Sequence, residues 1–226
     1  MTTARPYHHG DLRTALLRQA ERTLAEQGVD GLSLRELARE VGVSHGAPRR
    51  HFPDKRALLD ALAEEGYERL GRRLDAALND DAPADDEGAR GDLGDRGGLD
   101  GFGGLGGLGD RGDLAERLVV FAQVYVEFAV EHRALLGLMH GSKEGSRGER
   151  LREANDRAFA APVRLLAEAR ARGYIDADTT GRVDMTVLAV LQGLAVLAAT
   201  GMNGAKPLGV LVSETVETLL AGLRPR

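Results

Sequence analysis

Apolar residues in this chain recur every three or four positions, and no stretch alternates apolar with polar over the length of a strand. Leu12, Leu16, Ala20 and Leu24 lie four apart, and Leu17 widens their stripe. That spacing aligns side chains along one face of a helix, whereas a half-buried strand needs a period of two. The pattern returns in LRELAREV through Leu34, Leu37, Ala38 and Val41, and again through Leu58, Leu59, Leu62, Leu70, Leu74 and Leu78. Beyond residue 113 it continues in LAERLVVFAQVYVEFAVEHRALLGLM, and in ERLREANDRAFAAPVRLLAEARARG, where Pro162 predicts a kink. GRVDMTVLAVLQGLAVLAATG is apolar on nearly every face and should be buried on more than one side. The closing segment aligns Val212, Val216, Leu219 and Leu220. The chain is expected to be all-α.

One segment breaks the pattern. Residues 80–113 hold 12 glycines among 34 residues, with ten Asp/Glu against three Arg. Such a sequence buries too little to offset its chain entropy, so it reads as a disordered Gly/Asp-rich insert. Its GGLGGLG portion has no strand before it and no Lys-Ser/Thr pair after it, which argues against a phosphate-binding loop. The expected organisation is a helix-turn-helix domain over 1–56, a connecting helix over 57–79, the insert, and a helical regulatory and dimerisation domain over 114–226.

Charge follows the same division. The whole chain carries −5, but residues 1–56 hold ten Lys/Arg against seven Asp/Glu and four of the six histidines. A phosphate backbone would meet that local field and not the average. There are no cysteines, which excludes a disulfide scaffold and a Cys-based zinc or redox site. The N-terminus MTTARPYHHGDLR has no apolar signal region. The longest apolar run, Val187 to Ala199, is interrupted by Gln192 and Gly193 and falls short of the ~20 residues a spanning helix needs. A cytoplasmic protein without membrane partner is expected.

Two short helices joined by a Gly-containing turn and packed on a longer one make a helix-turn-helix. Here LRELAREV is the first short helix. Ser33 and Glu36, three apart, form a capping-box pattern at its start, and Gly42 supplies the turn. The second begins near Ser44 in VSHGAPRRHF, with Val41, Val43 and Phe52 as apolar anchors. Such a unit places its second helix in the major groove. Ser44, Gly46 and Ala47 are small enough for close approach, and a helix N-terminus favours phosphate. Arg49 and Arg50 carry planar donor forks that match guanine O6/N7 or clamp phosphates. His45, His51 and Lys55 add donors, and Ser33 completes the expected DNA-binding set. Pro48 lacks an N–H, so it costs least within a first turn; this predicts a helix that starts late and is short.

The stretch GLSLRELAREVGVSHGAPRRHFPDKRALLDAL resembles the N-terminal signature of the tetracycline-repressor (TetR) family of transcriptional regulators, over roughly Asp11 to Leu62. PYHHGDLR resembles the arm preceding the first helix in one branch of that family, and YVEFAVEHRALLGLMHG the start of that branch's regulatory domain. Two departures stand out. Arg49 occupies a position where the family usually carries an aromatic, commonly Tyr. In LAVLQGLA, Leu188 and Gln192 stand where the branch usually shows Trp and His.

The resemblance implies a homodimer joined by the last two helices, bound to a palindromic operator in double-stranded DNA and, most often, repressing. Val187, Leu191, Leu194, Val212, Val216 and Leu219 are the expected interface. It also implies a small-molecule effector seated among the middle helices. Phe121, Tyr125, Phe128, Met139, Phe159 and Gln192 are the candidates, with Tyr125 and Gln192 favoured because a polar group in an apolar stripe needs a partner. No cofactor and no metal are expected. His8, His9 and Asp11, or His132 and His140 beside Glu131, lack the HExxH spacing of a metal-dependent hydrolase, and no nucleophile-base motif appears, so an enzyme is not expected. The alternative is a helical interaction or ligand-binding protein that keeps the helix-turn-helix only as scaffold.

Overall fold

A computed structural model describes residues 9–78, 110–141, 148–176, 181–202, 204 and 206–223. Among them there is no strand. The helices are α1 (His9–Gln27), α2 (Leu34–Val41), α3 (Lys55–Leu78), α4 (Asp110–Glu131), α5 (Arg133–Gly141), α6 (Glu149–Ala158), α7 (Ala160–Ala171), α8 (Arg182–Thr200) and α9 (Leu208–Gly222), with one 3-10 turn at Pro48–Arg50 between α2 and α3. The glycine-rich insert lies outside the described residues, except that Asp110–Asp113 already belong to α4.

The chain forms two compact units, and neither is continuous in sequence. One comprises residues 1–71 and 128–158, the other 72–127 and 159–226. The structural division therefore differs from a boundary at residue 56: α5 and α6 group with the helix-turn-helix rather than with α7–α9. In the first unit Leu16, Leu17, Ala20 and Leu24 of α1 are buried with Leu37 and Ala38 of α2, Leu58, Leu62 and Leu70 of α3, and Leu135 and Met139 of α5. These are the apolar stripes of the sequence, each turned inward.

Close packing in this unit relies on two glycines of α3. A Cβ at Gly66 would stand 2.7 Å from Met139 Sδ, and one at Gly71 would stand 3.0 Å from the Ala158 Cα. Between them, the fully buried Tyr67 donates its hydroxyl to the Met139 carbonyl at 2.9 Å.

In the second unit the core is built from Leu118, Phe121 and Tyr125 of α4, Leu165 and Ala169 of α7, Val183, Leu191 and Leu194 of α8, and Val212, Val216 and Leu220 of α9. The break expected at Pro162 falls at Phe159, between α6 and α7. The reason is the missing donor: Pro162 cannot bond the carbonyl four residues back, so the helix restarts ahead of it and Pro162 sits in the first turn of α7. The next bond, from Val163 N–H to the Phe159 carbonyl, is made at 3.0 Å.

Candidate nucleic-acid interface

The reading head begins at α2. Ser33 holds the extended backbone of an N-cap, φ −139° and ψ 126°, but its side chain makes no cap hydrogen bond. The capping box read from Ser33 and Glu36 does not form; Glu36 instead pairs with Arg39 one turn on, at 2.5 Å. The helix ends as the sequence suggests. Gly42 takes a left-handed φ of 77°, the Val43 N–H reaches the Ala38 carbonyl at 2.9 Å, and the Gly42 N–H lies 3.2 Å from the Arg39 carbonyl. This double bond pattern closes the helix and needs the left-handed residue that glycine supplies without strain.

The second helix is much shorter than an α-helix. The Ala47 N–H bonds the Ser44 carbonyl at 2.9 Å, and one 3-10 turn follows over Pro48–Arg50. Arg50 N–H then bonds the Ala47 carbonyl, and His51 and Phe52 both bond the Pro48 carbonyl at 3.0 and 2.9 Å. Pro48 stands at the first helical position, where no donor is required. The late, short start expected from Pro48 is what the backbone adopts, in 3-10 rather than α form.

Pro48 and Phe52 are buried and anchor the turn from beneath, whereas Val41 and Val43 are half-buried. The guanidinium of Arg13 in α1 lies 5.7 Å from the centre of the Phe52 ring, a cation–π contact that fastens the turn's end to α1. Seated this way, the turn presents Ser44, His45, Gly46, Arg49 and Arg50 to solvent; His51, Lys55 and Ser33 are half-buried beside them.

Acidic groups near this surface are engaged within the head. Asp54 caps α3 by accepting the Ala57 N–H at 2.8 Å, Glu40 accepts from the Gln19 amide at 3.0 Å, and Glu36 is held by Arg39. Arg49 and Arg50 are exposed, while these three carboxylates have partners within the head. Arg35, on the first turn of α2, is also exposed and joins this basic surface. Sequence reasoning passed over Arg35 and Arg13. The first carries no motif, and the second acts through a contact 39 positions away.

A second feature of the same unit ties α1 to the rest. Arg69 of α3 grips Glu21 of α1 with both arms, Nη1 to Oε1 at 3.0 Å and Nη2 to Oε2 at 2.9 Å. His132, at the corner between α4 and α5, places Nδ1 3.2 Å from the same carboxylate. Burial pushes the Glu21 carboxyl up, but the hydrogen bond and attraction of Arg69, and then those of His132, outweigh it and hold the group below its ordinary value. Arg69 is correspondingly raised, first by its bond to Glu21.

The six residues expected around an effector fall into both units. Phe121, Tyr125, Phe159 and Gln192 are in the second. There the Gln192 amide donates to the Tyr125 hydroxyl at 2.9 Å, and the fully buried Tyr125 ring lies 6.5 Å from Phe121 and 6.3 Å from Phe159. Phe128 and Met139 are buried in the first unit, where Phe128 packs on His132 with ring centres 4.7 Å apart. An apolar cavity of about 30 Å³ adjoins Phe121, lined by Leu118, Leu166, Ile175, Val187 and Leu191 among others.

The expected interface residues are also placed differently from the sequence reading. Leu191, Leu194, Val212 and Val216 are buried inside their own protomer, and Val187 and Leu219 are half-buried. The face of α8 left open is the opposite one: Met185, Ala189, Gly193, Val196, Leu197 and Thr200 are all exposed, and helical spacing puts them together. By length and composition alone α8 is long and apolar enough to cross a membrane, which the interrupted run Val187–Ala199 did not suggest; 22% of its apolar window is buried within the chain.

Residues 16–62 match the family described as bacterial regulatory proteins, tetR family, and residues 118–223 match a tetracyclin repressor-like C-terminal domain. The chain belongs to the TetR family of transcriptional regulators. Two curated relatives match through the reading head: the tetracycline repressor protein class A from transposon 1721 of Escherichia coli, 55% identical over 49 residues, and the HTH-type transcriptional repressor Rv1474c of Mycobacterium tuberculosis, 43% over 63. The chain spans only 23% and 34% of their lengths, and these matches cover 22% and 28% of its own. A protein of unknown function from Rhodococcus sp. RHA1 is similar throughout, at 38% identity and TM-score 0.74, over 98% of this chain and 100% of that one. A TetR-family regulator structure from Vibrio parahaemolyticus shares the fold at 21% identity and TM-score 0.65, over 96% and 100%.

Proposed function

We propose that the protein is a ligand-responsive repressor that binds a palindromic DNA operator as a homodimer in the cytoplasm. The observation that carries this reading is the 3-10 turn whose underside is buried through Pro48 and Phe52 while Arg49 and Arg50 stand exposed. Two adjacent guanidinium forks on a rigid, uncluttered turn suit guanine edges and phosphates. Both curated relatives named above are repressors, which supports the same reading.

The dimer rests on α8. A helix with one apolar face in its own core and a second one exposed needs a cover in water, and a second copy supplies an identical face under two-fold symmetry. Two reading heads so related would address half-sites about 34–36 Å apart or a multiple of it, hence a palindrome. The effector site is assigned to the Phe121–Tyr125–Phe159–Gln192 cluster. Drug-sized ligands need roughly 300 Å³ or more, and the adjoining cavity has about 30 Å³. Effector binding then stabilises a more open form of this unit, and release of DNA follows as a population shift.

Selection of bound sequences from random DNA, followed by titration at several salt concentrations, tests the proposal. A two-fold symmetric site with affinity falling steeply as salt rises supports it. Recovery of no enriched sequence, with the protein dimeric and folded, refutes it in favour of a helical interaction or ligand-binding protein.

A further inference from the structure

The corner between α4 and α5 is made by one residue. His132 receives the last bond of α4, its N–H to the Phe128 carbonyl at 2.9 Å, and offers its own carbonyl to the Leu136 N–H of α5 at 2.8 Å. Its imidazole is only 20% exposed and lies among carboxylates: Glu21 of α1 at 3.2 Å from Nδ1 and Glu131 at 3.6 Å from Nε2. From α3 comes Arg69, bound to Glu21 and 3.6 Å from Glu65. Arg133, next in the chain, is exposed. Two carboxylates, Glu21 and Glu131, therefore face the imidazole from its two nitrogens. A positive imidazole is attracted to both, and the Phe128 ring packs 4.7 Å away.

We propose that His132 is a proton-dependent strap. When protonated it bridges Glu21 of the reading head to Glu131 at the α4–α5 corner, and it loosens that junction when neutral. An unperturbed histidine changes charge between about pH 5 and 8, which makes His132 the group to follow at this junction. No covalent step is involved; the proton is exchanged with solvent, and Nε2 itself is buried. The strap lies in the helix-turn-helix unit, so acidification stiffens the seat of α1 against α5, independently of any DNA or effector.

The test uses the full chain without DNA. Imidazole NMR of the wild type follows His132 from pH 5 to 8.5, and Glu21→Gln is expected to lower its titration midpoint, because the nearest stabilising carboxylate is gone. A double-mutant cycle of Glu21→Gln and His132→Gln, read by urea unfolding, should show a coupling of about fivefold in the unfolding constant at pH 6, falling below about twofold at pH 8. A His132 midpoint indifferent to Glu21, or a coupling of equal size at both pH values, overturns the proposal. Should the variants fail to fold, the wild-type titration decides: a His132 resonance that does not change between pH 5 and 8.5 is equally fatal.

Discussion

Replacing Val196 by Glu separates the two faces of α8. Val196 is 49% exposed within the protomer, so its charge there can remain in water and should cost under about 0.5 kcal/mol of fold stability. If a second copy covers this face, the outcome differs. The dimer loses what remains of the Val burial, about 1 kcal/mol on each side, and two carboxylates are desolvated at several kcal/mol each. The sum exceeds about 4 kcal/mol, a dissociation constant raised on the order of a thousandfold. Sedimentation equilibrium at micromolar protein should find wild-type dimers and Val196→Glu monomers, with helical circular dichroism at 20 °C retained. Leu191→Glu is the control. Leu191 is 3% exposed, so its charge enters the protomer's own core and should abolish the helical signal instead. A dimer of undiminished strength in Val196→Glu would refute the reasoning, as would a folded monomeric Leu191→Glu.

Arg49→Ala and Arg50→Ala should each weaken operator binding by about 1–3 kcal/mol if the fork is bidentate to guanine, with specificity relaxed at one base pair by fluorescence anisotropy. An equal loss on all sequences, with the salt slope reduced by about one, assigns the arginine to a phosphate. Gly71→Val would press a branched side chain on the Ala158 backbone, 3.0 Å from the position of its Cβ, and should cost about 1–3 kcal/mol in urea unfolding; a gain of the ordinary helix-propensity kind would show that α3 and α6 can part freely. Glu21→Gln should cost stability chiefly above pH 4.5. The native carboxyl is held below that ordinary value, so its contribution is present above it and is lost as pH falls through the depressed value; a stability gap between wild type and variant that widens on acidification below pH 4 would contradict this sign.

What the sequence disclosed, and what it concealed, divides along a physical line. Periodicity located the helices because each buries a stripe, and Leu16, Leu37, Leu62 and Val216 all turn inward where their spacing said they would. Local backbone chemistry was equally legible: Gly42 ends α2, and Pro48 sets where the next turn begins. Side-chain caps were less so, since Ser33 keeps the cap backbone while Glu36 prefers Arg39. A helix apolar all round, however, does not announce which face its own protomer takes. In α8 the heavier Leu191–Leu194 face went inside, leaving the lighter Met185–Val196 face exposed.

The Glu21–Arg69–His132 cluster could not be read either, because its members stand 48 and 63 positions apart and none belongs to a motif. Its significance comes from the fold alone. Residues that a linear reading assigns to the DNA-binding domain, the connecting helix and the regulatory domain meet on one carboxylate. The reading head therefore extends, in its packing, through α5 and α6, and Arg69 and His132 both hold Glu21 of α1.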